Sequence, residues 1–235
     1  MSFTVLSETA RVLAGRTSMP ITVVHTHAHG DHVAGDAELK ALNDPAMPLT
    51  LVPAAVEDTK ALYGIARWPE EIGHLDLGGR VLDAIPIPGH NPVSVALYDR
   101  ETATLFTGDS LYPGRLYVAD LPAFQASTER LVRFTADKPV AHVLGNHVEQ
   151  TRTPFVDYPV GTIFQPEEHA LALTRGALLE LADALAAMKG TPARVFLRDF
   201  TVWPNALNTP EETARAKVYI EEQRRSMWTA AVKPR

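Results

Sequence analysis

Cysteine is absent from this 235-residue chain. Its absence excludes disulfides, any cysteine-ligated metal and a thiolate nucleophile, and it leaves the redox compartment open. No apolar run is long enough to span a bilayer. The first residues, Met1-Ser2-Phe3-Thr4-Val5, lack a basic start followed by an apolar core, so no signal peptide is read and a cytoplasmic protein is expected. There is no long block of like charge, no internal repeat and no low-complexity linker. Basic residues are outnumbered, 22 to 28, for a net charge of -6, which argues against a nucleic-acid-binding surface. With 46% apolar residues, the composition is that of an ordinary globular chain.

What the chain does have is a dense set of ligand-type side chains. His27, His29, Asp31 and His32 fall within six positions, directly after the apolar β-branched run that ends at Val24. Imidazoles and carboxylates at this density are costly to bury unless a cation receives them. Three later sites repeat the theme at strand ends or Gly/Pro-marked turns. They are His90 in Pro88-Gly89-His90, Asp109 in Thr107-Gly108-Asp109, and His147 in Gly145-Asn146-His147. Side chains on such turns are held by a rigid scaffold, and strand ends converge in space. Taken singly, Asp109 would read as a turn cap and either late histidine as incidental.

Short β-branched runs alternate with helical patterns. Helices are expected over 7–14 (Ser7 as N-cap, Gly15 as stop), 32–42, 54–63, 121–135, 166–188 and 210–228. Strands are expected over 21–25, 49–52, 81–87, 140–144 and 193–203, with a hairpin of 93–98 and 103–107 around residues 99–102. Residues 150–165 form the longest stretch without a pattern, a candidate lid or binding loop. A single domain over 1–235 is expected, with 193–235 as a strand-plus-helix extension.

The ordered motifs resemble those of the metallo-β-lactamase-fold hydrolase superfamily. His-x-His-x-Asp-His falls on His27, His29, Asp31 and His32. The Pro-Gly-His turn falls on His90, the Thr-Gly-Asp turn on Asp109, and the late Gly-x-His on His147. The resemblance implies an αββα sandwich of the α/β class. It implies two divalent metal ions, zinc foremost, with iron or manganese as alternatives. His27, His29 and His90 would hold one ion, Asp31, His32 and His147 the other, and Asp109 would bridge them. A hydroxide shared by the two ions would then cleave a small ester, thioester or lactone, as in the glyoxalase II and lactonase branches. Asp31 is the candidate for moving the proton. Alternatives are a mononuclear iron dioxygenase on the same fold, a phosphodiesterase, and a truncated, inactive homologue.

The family's first sheet begins with strands that this chain lacks, since only residues 1–24 precede His25 and most of them read as one helix. A start inside a longer protein, coverage by a second copy of the chain, or filling by the 193–203 segment would each account for the vacancy. The first two are preferred. Substrate candidates are Tyr112, Arg115 and Tyr117 just after Asp109, with Tyr158 inside the patternless stretch and His169 just after it. Arg115 is the one expected to receive an anionic group bidentately. The 111–117 segment reads equally as an ordinary surface loop, and a solvated helix start is the usual reading of His169. His25 is read as a satisfied core histidine or a support to the ligands, His142 as core or surface, and His74 as loop.

Overall fold

The computed structural model describes residues 20–41, 49–162 and 164–211, together with 214 and 218. The helix expected over 7–14 lies outside the described residues, as does most of the one over 210–228.

The chain enters through β1 (Ile21–Val23), which delivers the histidine motif, and two short helices follow, α1 (Gly30–Val33) and α2 (Asp36–Ala41). The single helix expected over 32–42 is thus broken in two at Ala34-Gly35. Next come β2 (Leu49–Leu51) and α3 (Val56–Tyr63). Gly64 ends α3 in the left-handed conformation and donates its N–H to the Lys60 carbonyl, a common glycine stop.

A meander of β3 (Gly73–Asp76), β4 (Val81–Pro86), β5 (Val95–Asp99) and β6 (Thr104–Gly108) leads to β7 (Arg115–Val118). Helix α4 (Leu121–Phe134) starts on Asp120, whose side chain accepts the Ala123 N–H at 3.0 Å. It is followed by β8 (His142–Gly145), β9 (Ala172–Leu173), α5 (Arg175–Ala187), β10 (Val195–Phe196) and β11 (Thr201–Pro204).

The strands form a six-stranded sheet, order β3-β4-β5-β6-β8-β9, a three-stranded sheet, β10-β11-β7, and a two-stranded parallel pair, β1-β2. In the large sheet only β6 and β8 run parallel. Helices α4 and α5 pack on each other. Phe124, Leu131, Leu178, Leu181 and Leu185 from these helices join Ile85, Leu105 and Val143 of the large sheet, and Ile87 just after it, in one buried cluster, which continues into Leu116 and Val202 of the smaller sheet and Phe200 of its hairpin turn. The result is the expected mixed α/β sandwich, with its first sheet reduced to two strands among the described residues.

Four expectations need correction. The helix expected from Pro166 begins only at Arg175. Residues 166–171 are turns, and Ala172–Leu173 instead extend the large sheet by pairing with Val143 and Leu144. The 193–203 strand is a tight hairpin, closed where Leu197 N–H donates to the Phe200 carbonyl. That hairpin pairs with β7 rather than with β1 or β2, so it does not extend the first sheet. Strands β3 and β7 were not anticipated. His74, expected in a loop, sits on β3 with its Nδ1 2.6 Å from buried Asp83.

Candidate metal centre

Five of the seven ligand-type side chains sit in the turns that follow strands, and Asp31 and His32 sit on the short helix α1. His27 follows β1, and His29 precedes α1, whose first turn carries Asp31 and His32. His90 lies in the turn between β4 and β5, Asp109 directly follows β6, and His147 lies two residues beyond β8. The His90 turn depends on Gly89. It has φ +136°, and a Cβ there would lie 2.4 Å from the backbone of Phe124 at the start of α4.

The side chains form two groups sharing Asp109, namely His27, His29, His90 and Asp109, and Asp31, His32, Asp109 and His147. Within each group the ligand atoms lie within 4.8 Å of one another. One carboxylate oxygen, Asp109 Oδ2, faces four imidazole nitrogens: His147 Nε2 at 3.1 Å, His32 at 3.3 Å, and His27 and His90 at 3.6 Å. Asp31 Oδ2 lies 3.3 Å from His32 Nε2 and 3.4 Å from His147 Nε2. His90 Nε2 and His29 Nδ1 face each other at 2.9 Å.

Outward contacts orient several of the rings. His90 Nδ1 donates to the Tyr117 carbonyl at 2.7 Å, His27 Nδ1 meets Thr26 Oγ1 at 3.1 Å, and the Asn146 amide meets His32 Nδ1 at 3.3 Å. Burial holds His27 neutral, with its pKa lowered to about 3, and lowers that of His90 as well. Burial pushes Asp109 up, but His147 and His32 outweigh it and keep the carboxyl well below its usual range. The His147 pKa is raised, chiefly by its bond to Asp109 and against its burial.

The donor set fits divalent cations. Neutral imidazole and carboxylate are ligands for zinc and for iron or manganese. Three of the buried atoms, His27 Nε2, His32 Nε2 and Asp109 Oδ1, have no hydrogen-bond partner. Buried polar groups are rarely left so unless something else receives them.

A cavity of about 380 Å³ opens on the groups, lined by His29, Asp31, His90, Asp109 and His147 together with Tyr112, Tyr117, Glu149 and Asn205. Of the substrate candidates, Tyr112 and Tyr117 therefore reach it. Arg115 does not. It is buried, and its guanidinium is taken by Glu149 (2.9 Å), the Tyr158 carbonyl (2.8 Å), the Tyr117 hydroxyl (3.2 Å) and Asp157 (3.4 Å). The expectation that it receives an anionic group is corrected on that geometry. Tyr158 uses its hydroxyl to accept the Glu167 N–H, and His169 lies against the Ala170 carbonyl and Asp199, so neither lines the cavity. His25 is held 3.1 Å from Asp36, away from the cavity, and His142 is exposed on β8.

Sequence reasoning missed Glu149 and Asn205. Glu149, two residues past His147, carried a local signal, a carboxylate in a ligand turn. Asn205 carried none, because only the parallel pairing of β11 with β7 brings its turn to the cavity.

The family model of the metallo-β-lactamase superfamily matches residues 10–183. This chain belongs to that superfamily. Within it, the chain is homologous to hydroxyacylglutathione hydrolases. It is 36% identical to that of Methylococcus capsulatus over 121 residues, 50% of this chain and 45% of the relative. It is 30% identical to that of Rhodospirillum rubrum over 194 residues, 80% of this chain and 70% of the relative. With the first of these the match spans about half of the relative's length. Among solved structures, it is similar to a metallo-beta-lactamase from Pontibacter korlensis, at 17% identity and a TM-score of 0.48, with 76% of this chain and 75% of that one covered. For a member of this superfamily, the two groups around Asp109 are the place to look for the chemistry.

Proposed function

We propose that this superfamily member is a metal-dependent hydrolase of a small ester, thioester or lactone. The observation that carries the reading is the Asp109 carboxylate, set among four imidazoles at the floor of an open cavity. His27, His29 and His90 would hold one divalent ion, Asp31, His32 and His147 the other, and Asp109 would serve both. Zinc is the first candidate. When bound, such a pair supplies Lewis acidity and lowers the pKa of a water towards about 7.

The rest is done by the chain. The Tyr117 hydroxyl accepts from Arg115 Nε, which leaves its own proton free to donate to a substrate oxygen in the cavity. Burial raises the Tyr117 pKa, so that proton is present at neutral pH. The Asn205 amide, at the cavity wall, offers both a donor and an acceptor for orienting the substrate. Asp31 is the most exposed carboxylate of the two groups, its side chain 60% accessible, and it is placed to pass a proton to solvent.

Among the described residues, no lysine or arginine lines the cavity. That supports a compact acyl substrate over a phosphodiester, whose charge enzymes commonly clamp with such side chains. The relatives' name gives a hydroxyacyl derivative of glutathione as their substrate, which falls in the same acyl class. The second group of ligands supports two ions over a mononuclear iron centre, which would leave Asp31, His32 and His147 without a role.

Elemental analysis of protein purified without added zinc, followed by a panel of esters, thioesters, lactones and phosphodiesters, tests the reading. Two divalent ions per chain are expected, with acyl turnover that is lost to chelator and in Asp109→Ala. One iron per chain with oxygen uptake overturns it in favour of the dioxygenase. No turnover of any acyl substrate by the two-metal protein overturns it in favour of an inactive homologue.

A further inference from the structure

The ligands are unequally secured. His27 and His90 are buried, and each has its outward nitrogen engaged, at 3.1 Å by Thr26 Oγ1 and at 2.7 Å by the Tyr117 carbonyl. His147 has a side chain 38% exposed, and among the described residues its only polar contacts run inward, from Nε2 to Asp109 and Asp31. Its ring rests edge-on against Tyr112, with centroids 5.5 Å apart. The strand end before it is equally close. A Cβ on Gly145 would lie 2.4 Å from Tyr112 Cβ.

Tyr112 is fixed in turn by its hydroxyl, which donates to the Arg115 carbonyl. Two residues past His147, Glu149 is held at both ends. Oε1 accepts from Arg115 Nη2 at 2.9 Å, and Oε2 accepts the Arg115 backbone N–H at 2.8 Å. Its backbone N–H donates to the Pro113 carbonyl, and its carbonyl accepts the Tyr158 N–H, both at 2.7 Å. The contacts that locate His147 therefore converge on Arg115 and Glu149.

We infer that Arg115 and Glu149 are positioning residues for one metal position only. The pair fixes His147 and so sets the affinity of the Asp31, His32, Asp109 and His147 group. Arg115 also donates to the Tyr117 hydroxyl at 3.2 Å, but His90 is held by the Tyr117 backbone carbonyl, which that side-chain contact does not engage, so the His27, His29, His90 and Asp109 group is left unchanged. This rests on the two-ion reading above. A general scaffold role differs in its consequence, since it would weaken both groups together.

Zinc binding to chelator-stripped protein separates the two. Glu149→Gln keeps the side-chain shape and one acceptor oxygen while losing the second. Arg115→Lys keeps the charge and loses the planar fork. Equilibrium dialysis against zinc, with bound metal counted, is expected to give two ions per wild-type chain. In each variant the first ion should bind as in wild type and the second about 10–100-fold more weakly, the usual cost of losing a contact that orients a ligand. His32→Ala should lose the second ion by itself, and adding Glu149→Gln to it should leave the first unchanged.

Two zinc ions at wild-type affinity in the folded variants overturn the inference. So does equal weakening of both ions, or failure of Glu149→Gln to fold, since each assigns the pair to the general scaffold. A wild-type chain that binds fewer than two ions removes the two-ion reading itself, and that result is read before any variant.

Discussion

Stripping the metal should destabilise this protein by an amount the centre allows one to bound. Without cations, His27 Nε2, His32 Nε2 and Asp109 Oδ1 are buried with no hydrogen-bond partner. Each such atom costs about 1–3 kcal/mol. The binding side gives a compatible figure. An ion at free concentration 100 times its dissociation constant stabilises by about 2.7 kcal/mol, so two such ions contribute about 5 kcal/mol. For a chain of this length each kcal/mol moves the melting temperature by about 2–4 °C, which predicts a fall of about 10–20 °C on removal. Calorimetry on chelator-stripped, dialysed protein, with zinc then restored to two equivalents per chain, measures it. Asp109→Ala serves as the control, and its melting temperature should respond little to zinc. A shift below about 3 °C, with the metal verified as removed, would refute the reasoning, because the orphaned atoms would then be satisfied without a cation.

Asp83 and Asp99 are buried carboxylates on β4 and β5, paired with Arg100 and His74 and with Arg80 respectively. Both have lowered pKa values. For Asp83, burial opposes the shift and the bonds to Arg100 and His74 prevail; for Asp99, the bond to Arg80 leads. Their contribution is therefore present above the unfolded carboxylate value of about 4 and is lost as pH falls through the lower folded values. In urea titrations of metal-stripped protein, Asp99→Asn should be destabilised relative to wild type at pH 6, and the gap should narrow progressively as pH falls below 4; a gap that widens in acid contradicts the assignment. Gly89→Ala meets both a positive φ and the Phe124 backbone at 2.4 Å, so a loss of about 3 kcal/mol or more is expected from denaturant midpoints. A loss under about 1 kcal/mol would show that the turn yields easily. Asn205→Ala should cost one neutral hydrogen bond to substrate, about 2- to 10-fold in kcat/KM, with metal content unchanged. Unaltered kinetics on every substrate turned over would remove Asn205 from the site.

The site was more legible in the sequence than the sheets were, and the reason is local. His27, His29, Asp31 and His32 share one turn and one helix start, so their spacing alone puts them together. His90, Asp109 and His147 each follow a recognisable strand. The meander β4-β5-β6 and helix α4 were legible for the same reason, since turn residues and a capping aspartate mark them within a few positions. What failed was long-range. Strand β7 reads locally as a Tyr-Pro-Gly loop and is a strand only because Thr201–Pro204 pairs with it in parallel. Strand β9 is two residues long and exists only as an edge to β8, so the pattern leading into α5 read as helix. Asn205 reaches the cavity through that same β11–β7 pairing.

The misreading of Arg115 changes the chemistry expected of the cavity. As a strand residue facing inward, Arg115 pairs with Glu149 and Asp157 instead of waiting for a ligand. Its charge is used in cancelling a carboxylate that would otherwise stand unpaired at the cavity wall, because Glu149 lines the same space as Asp31 and Asp109. With Glu149 held by Arg115, the two ions of the proposed reading would face chiefly those two carboxylates, and the centre so loaded would carry a net positive charge in a site partly shielded from water. If Glu149 stood alone, the third negative charge would offset much of that field. On that reading the arginine would favour an electron-rich carbonyl oxygen in the cavity by drawing off the charge of Glu149, without touching the substrate. This is consistent with a substrate recognised by its acyl group rather than by an anionic tail.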